Sequence, residues 1–194
     1  MRAELPADEG ARLEALRQFK VLDSEHEEAF DAATRLAVLI CQTPTALITF
    51  VDEDRQWFKS RVGFDEQETT RDVSFCAHAI LQPGPLVVRD TQTDERFRDN
   101  PFVLRSPYIR FYAGAPLTTD EGHKLGTLCV LDTVPRVLFA DQLDALELLS
   151  TQIMALLNMR RTVGYLETAL NRKRETIAQL EEQLRRSGGP EVTR

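Results

Sequence analysis

Apolar residues recur along this chain in three rhythms, and each predicts a different kind of element. Through residues 9–40 they return every three or four positions: Leu13, Leu16, Phe19 and Val21, then Ala29, Phe30, Ala33, Leu36, Ala37 and Ile40. That spacing lays one stripe on each of two amphipathic helices. Ser24, with Glu27 three residues on, predicts a capping box that starts the second helix, and Pro44 ends it. From residue 45 the period shortens. Residues 45–52 (TALITFVD) are apolar on both faces, as a central strand requires. Residues 56–62 (QWFKSRV) alternate, with Gln56, Phe58, Ser60 and Val62 against Trp57, Lys59 and Arg61, and predict a half-buried hairpin partner. Gly63 closes that strand, and residues 65–72 read as a charged loop.

Short apolar runs and turn residues continue to alternate over 74–132. Ser74 is placed to cap a short helix over 75–81 that carries a Phe-Cys-x-His cluster. Residues 85–90 (PLVVRD) predict a strand, and 91–104 a polar loop with one helical turn, because Asn100-Pro101 disfavours a continuous helix. Residues 109–117 and 124–132 predict a second hairpin. In its second strand Leu125, Thr127, Cys129 and Leu131 share one face, and Gly126, Leu128 and Val130 the other. Both faces look covered, so this is a second central strand. The fold class is therefore α+β: an antiparallel β-sheet of about five to six strands, with helices on one face and a loop-and-helix lid on the other.

The third rhythm belongs to a final helix starting near residue 139 or 140. Up to about residue 159 it is apolar enough to pack on the sheet. Within it a seam repeats every seven residues: Leu149, Leu156, Val163, Leu170, Ile177 and Leu184, accompanied by Leu166 and Leu180 among the positions three residues on. A heptad seam is a coiled-coil signature and predicts a partner helix, hence a homodimer. Gln152 and Lys173 dilute it. Charge does not decide between parallel and antiparallel pairing, since Arg160, Glu167, Arg174 and Glu181 alternate in sign beside uncharged Thr162, Ala169, Thr176 and Gln183. Ser187-Gly188-Gly189-Pro190 ends the helix, and 188–194 reads as a disordered tail.

Composition narrows the function classes. The 194 residues suffice for one domain and an extension, with 42% apolar residues to fill a core. A net charge of -7 argues against a nucleic-acid partner, which needs a basic patch. No apolar run is long enough for a membrane helix, and the N-terminus is too charged for a signal peptide. Three widely spaced cysteines, Cys41, Cys76 and Cys129, read as reduced thiols in a cytoplasmic protein and not as a metal site.

Four motifs in order carry a resemblance: DRQWFKSRVG (54–63), SFCAHAI (74–80), RFYAGAPL (110–117) and LGTLCVLDTVPR (125–136). They resemble GAF domains of bacterial sensory proteins, often found ahead of histidine kinase or diguanylate cyclase modules. The similarity covers residues 16–159. It divides the chain into an N-terminal helical segment (1–23), a GAF sensor domain (24–159), a coiled-coil signalling helix (160–187) and the tail. It implies a ligand pocket on the sheet face opposite the helices, and an output module in cis or trans. The cofactor stays open, because the family binds cyclic nucleotides, bilins, haem, small metabolites or nothing known.

On that expectation the ligand-binding set is Trp57, Phe75, Cys76, His78, Phe97, Phe111 and Tyr112, with the polar residues Asp90, Asp94, Arg96, Asn100 and Arg110 of the lid. The aromatic residues serve equally as core, and the polar ones as loop-fixing pairs. Bilin-binding relatives often have histidine directly after the attachment cysteine, whereas Ala77 intervenes here. Small GAF enzymes reduce free methionine sulfoxide through a cysteine relay, but that cysteine spacing is not evident, and Cys41 and Cys129 are expected to be buried. The asparagine- and lysine-containing motif of cyclic-nucleotide binders is absent. No catalytic residue and no metal ligand are expected.

Overall fold

The two stretches that are apolar on both faces become the middle of the sheet. In the structure, a computed structural model describing residues 2–186, β1 (Thr45–Val51) lies between β2 (Arg55–Val62) and β6 (Lys124–Asp132). The six strands run antiparallel in the order β3-β2-β1-β6-β5-β4, with β3 at Glu68–Thr70, β4 at Leu86–Val88 and β5 at Phe111–Thr118. Helices α1 (Glu9–Phe19) and α2 (Glu28–Cys41) precede the sheet. Short helices α3 (Phe75–Ala79) and α4 (Pro101–Leu104) interrupt it, and α5 spans Ala140–Arg186. The predicted α+β architecture holds. The tail at 188–194, and Ser187, lie outside the described residues.

The chain divides into two compact units, with the boundary between Leu157 and Asn158. In the first, Leu16 and Phe19 of α1, Phe30, Ala33 and Ala37 of α2, and Leu146, Ile153 and Leu157 of α5 form one core with Ile48, Phe50, Leu128 and Val130 of the sheet. Each of the larger side chains among them contributes about 1.5–3 kcal/mol by leaving water. The N-terminal helical segment expected at 1–23 contributes Leu16, Phe19 and Val21 to this core. Arg12 pins it there: the side chain is 1% exposed, grips the Glu9 carboxylate at 2.7 and 2.8 Å, and donates to the Val51 carbonyl at 2.7 Å. The opposite sheet face, with Leu47, Phe58, Tyr112, Cys129 and Leu131, is covered by α3, α4 and the loop between them.

Several local expectations fail for identifiable reasons. Ser24 and Glu27 form no capping box, and α2 starts at Glu28 without a side-chain cap. Both residues serve Lys59 instead. Its ammonium is completely buried and donates to Ser24 Oγ at 2.9 Å, Glu25 O at 2.5 Å and Glu27 Oε1 at 2.6 Å. β2 is buried on both faces through Ser60, with Trp57 in the helix-side core and Phe58 under the lid, and a bulge opposite Ile48 and Thr49 shifts its register. Ser60 therefore faces α2, hydrogen-bonded to Thr34 (2.7 Å) and Asp31 (2.5 Å), and not the side of Phe58. Ala29 and Leu36 of the predicted α2 stripe are exposed, and α2 ends at Cys41, before Pro44, through left-handed Gln42. The loop expected at 65–72 contains the edge strand β3.

In the second unit, the α5 side chains Val163, Leu166, Leu170, Ile177, Leu180 and Leu184 are about half exposed or more. Leu149 and Leu156 of the same heptad seam lie in the first unit and pack against the helix-side core. No helix among the described residues is long and apolar enough to cross a membrane.

Candidate functional site

The lid is assembled from local signals that bring distant residues together. Ser74 Oγ accepts from the Ala77 amide at 2.9 Å, as predicted for a cap, and its hydroxyl donates to Gln56 Oε1 on β2. One hydrogen bond starts α3 and the other fixes it to the sheet. Asn100 works similarly for α4. Its Oδ1 accepts from the Phe102 amide at 2.9 Å, and its side-chain amide donates to the Val73 carbonyl at 2.8 Å. Asp90 and Arg110 form a two-pronged pair at 2.8 and 2.7 Å, joining the start of the lid loop to the segment entering β5. Asp94 and Arg96 pair at 2.9 and 2.6 Å within the loop. Hydrogen bonds from these arginines hold both aspartates below the usual carboxylate range. All four residues brace the loop, and none lines the cavity beneath it.

Beneath the lid, aromatic rings stack in a column. Tyr112 lies on Phe75 at 5.4 Å between centroids, Phe75 on Phe97 at 4.6 Å, and His78 meets Phe97 edge-on at 4.8 Å. Gly114 makes the column possible. A Cβ there would sit 2.2 Å from Tyr112 Oη and 2.7 Å from its Cζ. Without one, the ring lies along its own strand and reaches α3.

A small cavity remains between sheet and lid, lined by Gln56, Phe58, Phe64, Cys76, Tyr112 and Cys129 among others. Its free volume is about 20 Å³, room for roughly one water. Phe64 and Phe102 form one wall of it, packed edge to face at 5.9 Å. Outside Phe102 lies an open groove of about 580 Å³ bordered by Asp54, Arg55, Glu68 and Thr69.

Cys76 is not isolated. Its Sγ lies 3.8 Å from Cys129 Sγ and accepts from Thr127 Oγ1 at 3.1 Å and Tyr112 Oη at 3.4 Å. Burial pushes the Cys76 thiol up, but hydrogen bonds from Cys129, Thr127, Thr49 and Tyr112 outweigh it and bring the group down to about 7. Burial, and the neighbouring Cys76 sulfur, push Cys129 the other way. The hydroxyls around Cys76 make it the more acidic of the two thiols.

Of the predicted site residues, Phe75, Cys76 and Tyr112 line the cavity, and Phe97 and His78 stand behind them. Trp57 and Phe111 do not. Both belong to the helix-side core, because adjacent residues of a strand face opposite ways: Phe58 and Tyr112 take the cavity side. Sequence reasoning missed Gln56, Phe58, Phe64, Phe102 and Cys129. The shared face of Thr127 and Cys129 was readable, but not that it faces Cys76. Among the described residues no group of three or more His, Cys, Asp or Glu could hold a metal ion.

The GAF domain family matches residues 25–157. The chain belongs to that family. A cyclic di-GMP phosphodiesterase of Pseudomonas aeruginosa is 43% identical over 163 residues, covering 84% of this chain and 28% of the relative. The chain thus spans little more than a quarter of that protein's length. Two solved structures share the fold at low identity. The GAF domain of an Acinetobacter phosphoenolpyruvate-protein phosphotransferase superposes with a TM-score of 0.58 at 15% identity, covering 80% of this chain and 98% of its own. A type II free methionine-R-sulfoxide reductase from Thermoplasma acidophilum superposes with a TM-score of 0.57 at 12% identity, covering 74% and 96%.

Proposed function

We propose that this GAF domain is a cytoplasmic sensory and regulatory module. It binds a small ligand between the sheet and the lid, dimerises through α5, and controls an output domain or partner of the histidine kinase or cyclic di-GMP type. The observation that carries the reading is the small cavity under a braced lid, where Gln56, Tyr112 and Cys129 of the sheet meet Cys76 of the lid beside apolar walls. A ligand larger than water must displace Phe64 and Phe102, so occupancy is coupled to lid position. The likeness to a cyclic di-GMP phosphodiesterase supports an output in that signalling chemistry, and the exposed apolar seam of α5 supports a helical partner. Native mass spectrometry of the chain as purified tests both halves at once: a dimer mass carrying a retained small molecule is expected. A monomer without adduct at micromolar concentration counts against the reading.

The same geometry supports a regulatory and not a catalytic role. Cys76 is 2% exposed, and free methionine sulfoxide would reach it only by displacing Phe64 and Phe102. The fold shared with the Thermoplasma reductase and the close thiol pair are what favour the enzymatic alternative. Turnover of free methionine sulfoxide with a reductant, abolished by Cys76→Ser, would establish that alternative.

A further inference from the structure

We propose that Cys76 and Cys129 are a reversible dithiol, closed to a disulfide by a small hydroperoxide entering the lid-side cavity. Their sulfurs lie 3.8 Å apart, although one stands on α3 of the lid and the other on the central strand β6. Both thiols face the same cavity. Its volume of about 20 Å³ accepts a molecule near the size of water and excludes bulkier electrophiles. Around Cys76 Sγ the hydroxyls of Thr127 and Tyr112 are placed to donate. Such donors stabilise a thiolate, the form that reacts with peroxides. A cysteine kept only for packing does not need them. Cys41, the third cysteine, sits in the helix-side core with no other thiol there, and burial pushes it up to about 11.

The chemistry balances with hydrogen peroxide as the oxidant. The Cys76 thiolate attacks one peroxide oxygen, the O–O bond breaks, an S–O bond forms, and the departing hydroxide takes up a proton. Cys129 sulfur then attacks Cys76 sulfur. The S–S bond forms, the S–O bond breaks, and the second oxygen leaves as water with the Cys129 proton. Two thiols lose two electrons and two protons, and the peroxide becomes two waters. A dithiol reductant reverses the step by exchange. The sulfurs must close from 3.8 Å to about 2.05 Å, a shift that side-chain rotation and a small movement of the five-residue helix α3 supply. The bond would tie the lid to β6. This goes beyond the sensory reading and does not require an organic ligand in the cavity.

The test treats the reduced, folded 194-residue chain with hydrogen peroxide, quenches by alkylation in denaturant, and maps peptides by mass spectrometry. Expected are a Cys76–Cys129 cross-linked peptide, an intact mass lower by two hydrogens, Cys41 alkylated throughout, and complete reversal by dithiothreitol. Three results would each overturn the proposal: sulfinic acid on Cys76 without the cross-link, a disulfide that includes Cys41, or all three thiols unchanged after an exposure that oxidises free glutathione. In a Cys129→Ala variant with native circular dichroism, Cys76 is expected to accumulate as a sulfenic acid, labelled when the peroxide-treated protein is unfolded in denaturant containing dimedone. No labelling after that unfolding refutes the first step. Cumene hydroperoxide, too bulky for the cavity, is expected to form the cross-link at least about tenfold more slowly than hydrogen peroxide, because access governs thiol oxidation. Equal rates refute entry through the cavity.

Discussion

Replacing Gly114 with alanine tests whether the cavity wall is built as described. Tyr112 and Gly114 share one face of β5, and the ring lies over the glycine. The new Cβ would stand 2.2 Å from Tyr112 Oη, well inside contact distance. The ring cannot swing freely away, because it is fully buried, stacked on Phe75 at 5.4 Å and bonded to Cys76 at 3.4 Å. Overpacking of this kind costs about 1–3 kcal/mol. Replacing a strand glycine offsets about 0.5–1 kcal/mol of that by restricting the unfolded chain. The net expectation is a loss of up to about 2.5 kcal/mol, a fall of up to about 10 °C in Tm for a chain of this size. Urea unfolding of the wild type, Gly114→Ala, Tyr112→Leu and the double variant isolates the clash. In the Tyr112→Leu background the alanine should cost no more than about 0.5 kcal/mol, since the ring it collides with is gone. An equal cost in both backgrounds would show that Cβ collides with something other than Tyr112, and the account of the column would be wrong.

Four further expectations follow from other parts of the molecule. Lys59→Met should cost about 1–3 kcal/mol in urea unfolding, because the Glu25 carbonyl and Ser24 hydroxyl lose a buried donor, while the half-exposed Glu27 adds little; a neutral result would mean that water replaces the ammonium. Burial raises the Glu9 carboxyl, but hydrogen bonds from Arg12 and Arg71 outweigh it and lower it from 4.5 to about 2, so its stabilisation is complete above pH 4.5 and lost as pH falls through about 2. The stability of Glu9→Gln should therefore approach that of the wild type over this acid range, and a constant gap between their unfolding midpoints would refute the linkage. Placing Asp at both Val163 and Leu170 should reduce the mass seen by light scattering to that of a monomer, and a spin-label distance between two Gln183 positions should be short if the helices are parallel; an unchanged mass would move the interface away from α5. Phe102→Ala should connect the cavity with the outer groove, which already shares Thr69, Val73 and Phe102 with it, and so quicken iodoacetamide labelling of Cys76 in the folded protein; an unchanged rate would mean that Phe102 is not the closure.

The middle of the sheet was legible because burial on both faces leaves an unbroken apolar run, as in β1 and β6. Ser74 and Asn100 were legible because capping and turn formation are local events. β2 was harder. Its alternation predicted one buried face, but a bulge places Lys59 and Ser60 together on the α2 side, and a buried lysine has no apolar signature. Ser24 and Glu27 looked like a cap because the pattern does not show that Lys59, more than thirty residues on, will claim both. The aromatic residues carry a simpler lesson. Trp57 precedes Phe58 and Phe111 precedes Tyr112, so strand alternation allows only one of each pair into a given face. The period states which residues oppose each other, and not which face holds the site. The partner of Cys76 was invisible for the same reason, since it is set by how β6 lies under α3 across 53 residues.

The two faces of the sheet divide the work, and β6 belongs to both. On the lid side it presents Thr127, Cys129 and Leu131 to α3 and the cavity. On the other side Leu128 and Val130 enter the core that also contains Leu146, Ile153 and Leu157 of α5. A strand is stiff along its backbone, and its core is packed too densely to absorb a shift on one side alone. Displacement of β6 by a ligand, or by a bond to α3, is therefore expected to reach the start of α5 through alternate residues of one strand. The lid's bracing has the complementary property. Asp90–Arg110 and Asn100–Val73 hold it at its ends, while α3 is held by the Ser74 cap, by Phe75 stacked between Tyr112 and Phe97, and by the hydroxyls on Cys76. A shift of the element that carries Cys76 is therefore expected to be felt directly by Tyr112 of β5 and Thr127 of β6, and so by the strand whose reverse side packs against the start of α5.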